Sequence, residues 1–140
     1  MVAALFCALI FGRDYEINAL GTGLLVTALV YVALAWWGGE EGWLRIEGTG
    51  VMAAYLFVLL SRKYGRWALG AGWLLHPVWD LVLHYWGPGA AFVSPVYVWG
   101  CVSFDLLVGG FALWRADTER RLNRKRRSRA RARQSHPEAR

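Results

Sequence analysis

From Ile17 to Trp37 the chain runs for 21 residues without a charged side chain, and this stretch limits the available folds more than any other feature. About 20 predominantly apolar residues are what an α-helix needs to cross the ~30 Å hydrocarbon core of a bilayer. Gly21, Thr22, Gly23 and Thr27 within it suit close contact between membrane helices, and the closing pair Trp36-Trp37 suits the headgroup interface. Three more apolar runs follow: Gly48 to Ser61, with Trp43-Leu44 dipping into the interface, then Trp67 to Trp86, then Phe92 to Trp114. A polar loop (Gly38 to Glu47), a basic turn (Ser61 to Arg66) and Gly87-Pro88-Gly89 separate them. The expected fold class is therefore all-α: a polytopic transmembrane helical bundle of four full spans plus a short N-terminal apolar helix.

That first segment, Met1 to Gly12, is too short to span unless it tilts or belongs to a longer helix. It lacks a preceding basic region and a small-residue cleavage pattern, so it reads as retained rather than as a signal peptide. Composition agrees with the membrane reading, since 56% of residues are hydrophobic, only 19% are charged, and there are nine Trp. Cys7 and Cys101 lie in separate apolar runs and suggest neither a disulfide framework nor a Cys-x-x-Cys metal knuckle.

Charge is distributed unevenly. Residues 115–140 carry 11 Lys and Arg against three Asp and Glu, a balance of +8, whereas the rest of the chain stands at −2. The domain division is thus a helical transmembrane domain over 1–114 and a disordered basic tail over 115–140. Short-loop basic residues mark the cytoplasmic side, which places Arg62, Lys63, Arg66 and the tail inside and the acidic 38–47 loop outside. The expected location is the inner (cytoplasmic) membrane, multi-pass, with the C-terminus cytoplasmic. Arg120, Arg121, Arg124, Lys125, Arg126, Arg127, Arg129, Arg131 and Arg133 suit membrane lipids, specifically anionic headgroups. Nucleic acid is a poor fit because the tail has no aromatic residue for base stacking. Small helices with much lateral surface also make a homo-oligomer an expected partner state.

Within Trp67 to Trp86 lie two histidines and an aspartate. His76, Asp80 and His84 follow at i, i+4 and i+8 and drift by only about 80° around a helix, so they share one face. Ionisable groups at the bilayer centre cost at least ~2.5 kcal/mol on insertion scales and face a protein interior or a cavity. Counting inward from the turn at residues 87–93, Cys101 on the last helix matches Asp80 in depth and Asp105 matches His76. The candidate metal ligands are His76, Asp80, His84, Cys101 and Asp105, the candidate catalytic residues are His76, Asp80 and Asp105, and the candidate cofactor is a divalent transition metal. Because His76 and His84 stand about 12 Å apart along a straight helix, one ion suits an i, i+4 pair completed by Cys101 or Asp105. A His–Asp–His proton relay and plain interhelical glue remain the other readings of the same residues. Pro77 removes a helix hydrogen bond beside His76, where a bend is expected.

From Tyr64 onward the pattern Tyr64-Gly65-Arg66-Trp67, Gly72-Trp73-Leu74-Leu75-His76, Trp79-Asp80, His84, Gly87-Pro88, Pro95, Gly100-Cys101 and Asp105 resembles a family of small bacterial integral membrane proteins defined only as a domain of unknown function. Asn18-Ala19 and Gly38 to Trp43 are similar too, and the resemblance spans residues 13 to 114. It implies a compact helical membrane domain with His76, Asp80, His84, Cys101 and Asp105 as its shared polar set, and implies no activity. Leu83 stands where that family tends to pair two histidines. The expected function is a membrane protein whose polar cluster binds a metal or performs acid–base chemistry on a lipid-like substrate; the alternative is a non-catalytic proton or ion carrier, or an assembly protein.

Overall fold

The computed structural model describes residues 12–135; the expected helix over 1–12 lies almost wholly outside them. The described residues form four α-helices and no strand. Helix α1 spans Arg13–Trp37, α2 spans Glu41–Tyr64, and α3 spans Arg66–Asp80. Chain direction then passes through a π-helical turn, Leu81–Tyr85, and a 3₁₀ turn, Pro88–Ala91, into α4, Pro95–Ser135. Helices α1, α2 and α4 are each long and apolar enough to cross a membrane.

Helix α3 packs against all three others. Its antiparallel seam with α4 is set by two glycines: a Cβ on Gly70 would come within 2.6 Å of Leu113, and one on Gly109 within 2.8 Å of Leu74. With no side chain at either position the two backbones approach closely. The main core joins Leu20, Leu24 and Ala28 of α1, Ala54 of α2, Leu69 and Trp73 of α3, and Val108 and Ala112 of α4. Trp73 also donates its indole N–H to the Leu20 carbonyl at 3.0 Å. A second cluster, Tyr31, Val93, Val98 and Val102, closes the other end.

Most apolar surface points outward. Buried residues make up only 28%, 17% and 33% of the apolar windows of α1, α2 and α4, and Leu29, Met52, Leu56, Leu75, Val78 and Leu107 are exposed. In water this surface would drive association; in hydrocarbon it meets a matching solvent.

Three boundaries differ from the sequence expectation. Helix α2 starts at Glu41 instead of Gly48, so Trp43, Leu44 and Glu47 are helical and not loop. The basic segment after Trp114 is not disordered but continues α4 through Ser135. Its residues are mostly good helix formers, Ala116 is buried, and Asp117 accepts a hydrogen bond from Arg121 one turn later at 2.6 Å. Finally, the helix irregularity beyond Pro77 falls at Leu81–Tyr85, where Trp86 N–H reaches the Leu81 carbonyl at 3.0 Å.

Candidate functional site

Helices α3 and α4 bring three of the five expected ligands together. His76 Nδ1 stands 2.8 Å from Asp105 Oδ2 and 3.6 Å from Asp80 Oδ1. One donor atom from each of His76, Asp80 and Asp105 lies within 4.8 Å of the other two, and all three residues are buried. The depth match of His76 with Asp105 follows from the short connection and equal rise on both helices. Both oxygens of Asp80 and Oδ1 of Asp105 make no hydrogen bond within the described residues. Two carboxylates and one imidazole in a dry interior carry an excess of acceptors, an arrangement that calls for a cation or protons.

His84 and Cys101 sit apart from this trio. His84 Nε2 lies 3.2 Å from Oε1 of Glu47 on α2, and both residues are buried. Its ring stacks on Tyr31 at a centroid distance of 4.3 Å and 12° between planes. Trp43 and Phe92 complete an aromatic box around it, at 5.7 and 5.8 Å. A π turn advances less per residue around the axis than an α turn, so His84 does not continue the regular α-helical face shared by His76 and Asp80. Cys101 is half-buried beside Tyr31 and Tyr97. Ser103, next to the cluster in sequence, is exposed and donates to the Trp99 carbonyl.

Tyr31 connects the two groups. Its ring packs on His84 while its hydroxyl faces Asp80 and Cys101 without a well-formed hydrogen bond. Neither Tyr31 nor Glu47 was among the residues the sequence singled out. Glu47 reads as a third acid of a polar loop, yet it is only 2% exposed. The available signal is a seven-residue repeat: Glu47, Ala54 and Ser61 are the buried residues of α2.

A second polar group lies at the opposite end of the bundle. Glu16 of α1 accepts two hydrogen bonds from Arg66, Nε at 2.9 Å and Nη2 at 2.7 Å, and Nη2 of Arg115 approaches at 3.0 Å. Arg66 Nη1 also binds Glu119 at 2.7 Å. Bidentate geometry and mutual neutralisation suit this group to a structural tie.

No family model, no curated protein sequence and no solved structure matches the chain.

Proposed function

We propose that this is a four-span inner-membrane protein, with its C-terminus cytoplasmic, whose buried His76–Asp80–Asp105 cluster binds a divalent transition metal and performs metal-assisted or acid–base chemistry on a lipid-like substrate. Convergence of three donors from two helices, with three carboxylate oxygens making no hydrogen bond, carries the reading. Three protein ligands leave a coordination position open for water or substrate, as in catalytic zinc sites. An ion there would act as a Lewis acid and lower the pKa of bound water. Before an ion enters, Asp105 orients His76 through the 2.8 Å contact; with an ion bound, His76 Nδ1, Asp80 and Asp105 would be its three ligands, and in the metal-free acid–base reading Asp80 is the carboxylate available as base.

The fourth crossing is α3 with its π turn, Arg66 to Tyr85. At about 1.5 Å per residue these 20 residues cover ~30 Å. Arg62, Lys63 and the basic half of α4 then share the cytoplasmic side, facing anionic headgroups. The exposed apolar faces leave room for self-association.

The test is metal analysis of protein purified in mild detergent and reloaded with zinc, iron or copper in turn. One equivalent in the wild type and none in Asp105→Asn and His76→Ala supports the metal centre. A second reading is a proton relay through Asp80, His76 and Asp105, favoured by their 3.6 and 2.8 Å contacts and by the Tyr31 hydroxyl that faces Asp80. Stoichiometric metal absent from the wild type, with proton uptake in liposomes lost on Asp80→Asn, would establish the relay instead. If Asp80→Asn and His76→Ala changed only thermal stability, the cluster would be interhelical glue.

A further inference from the structure

Between α1, α2 and α3 lies a cavity of about 140 Å³ that the metal cluster does not account for. Leu24, Ala28, Ala54 and Phe57 form apolar walls, and Gly50 and Gly72 also line it, with Trp79 packed over the first and Leu24 and Phe57 over the second. Glu47, Tyr31 and His76 also line it. His76 therefore belongs to two places at once: its Nδ1 is held in the cluster, and its ring forms part of the cavity wall.

Location decides what fills it. Ala53 and Leu75 on its rim are exposed, and the neighbouring outward side chains, Leu56 and Val78, are each 54% exposed and apolar. In a membrane the solvent at this rim is hydrocarbon, so an apolar space open to it takes up chain and not water. The volume is close to that of apolar cavities of about 150 Å³ that accept a benzene-sized molecule. It seats a short stretch of chain, and the remainder leaves between α2 and α3 into the bilayer.

The polar lining sets the chemistry of the head. Glu47 is 2% exposed, and its Oε1 makes no hydrogen bond despite lying 3.2 Å from His84 Nε2. A buried acceptor of this kind matches a donor. An acidic head would set a second acid against Glu47, whereas a neutral hydroxyl supplies the donor without carrying a charge into this apolar setting. We propose that the cavity binds a single-chain lipid with a neutral hydroxyl head, drawn in sideways between α2 and α3, with the hydroxyl on Glu47 beside His76. The proposal rests on the cluster reading only for what happens to the head afterwards; seating of the chain stands without it.

The experiment uses the full chain in nanodiscs and a 1-hexadecanol analogue carrying a diazirine close to its hydroxyl. Labelled residues are mapped by mass spectrometry. Expected are adducts on Glu47, Tyr31 or Ala28, which line the part of the cavity where the head sits, competed away by plain 1-hexadecanol and not by hexadecane. Ala53→Phe, which fills the rim, should lower this labelling about tenfold, a loss of about 1.4 kcal/mol in seating, while metal content stays unchanged. Glu47→Leu should make hexadecane and hexadecanol equal competitors. Adducts confined to outward residues such as Leu56 and Leu59, or adducts that excess hexadecanol does not reduce, would overturn the proposal in the wild type alone. Asp105→Asn separates the two ideas: loss of metal with labelling retained leaves the cavity proposal standing, and metal retained without competed labelling leaves only the cluster.

Discussion

His76 and Asp105 are 29 positions apart in the chain, yet Nδ1 of one and Oδ2 of the other meet at 2.8 Å across the seam of α3 and α4. This contact fixes the orientation of the imidazole, and Asp80 on the next turn of α3 brings a second carboxylate to it at 3.6 Å.

Zinc should therefore stabilise the fold. With free zinc at about 100 times its dissociation constant, binding to the native state alone contributes ~2.7 kcal/mol. Thermal unfolding in detergent, followed by circular dichroism, is expected to shift upward for the wild type and to stay unmoved for Asp105→Asn.

The row was legible only in part, and the reasons are physical. Depth counting worked for His76 and Asp105 because both helices rise equally from one short connection. The single face shared by His76, Asp80 and His84 is interrupted at the π turn, which leaves no mark in residue spacing inside an otherwise continuous apolar run. Glu47 was hidden by its acidic neighbours Glu40 and Glu41, which made a helix start look like a solvated loop. Arg115 and Glu119 looked like the beginning of a basic tail; their partners, Glu16 and Arg66, lie about 50 to 100 positions away, beyond the reach of any local pattern. The apolar runs themselves were the plainest signal and located all four helices.

Glu16 should prove far more important to stability than Glu119. Removing it takes the bidentate partner from Arg66, which is only 6% exposed and keeps only its single contact with Glu119, and breaking one partner out of a buried pair costs about 3–5 kcal/mol. Glu119 is 33% exposed, so Glu119→Ala is expected to cost at most about 1 kcal/mol. Unfolding midpoints of Glu16→Ala and Glu119→Ala, compared in the same detergent, test the ranking.

Two adjacent glycines of α4 should answer oppositely to the same change. At Gly109 a Cβ would lie 2.8 Å from Leu74, whereas at Gly110 nothing stands within 4 Å. Gly109→Ala is expected to destabilise by about 1–3 kcal/mol through overpacking, and Gly110→Ala to stabilise by up to about 1 kcal/mol through helix propensity. Equal effects would show that α3 and α4 do not meet at this register.

Topology can be read with single cysteines on a chain lacking Cys7 and Cys101. A membrane-impermeant maleimide is expected to reach Glu40→Cys from one side, and Arg62→Cys and Ser128→Cys from the other. Labelling of Glu40→Cys and Arg62→Cys from the same face would mean that α2 does not cross.

The Glu16 knot also has a mechanical meaning. It fastens α1, α3 and α4 at the end of the bundle from which the basic half of α4 extends, while α2 takes no part in it; among the described residues α2 brings Glu47 to 3.2 Å from His84 near the opposite end. Three staves are thus riveted at the base and the fourth is latched near its top. The wall where the cavity lies is therefore the side of the bundle with the fewest polar ties, and apolar packing by Ala54, Phe57 and Val58 holds α2 there.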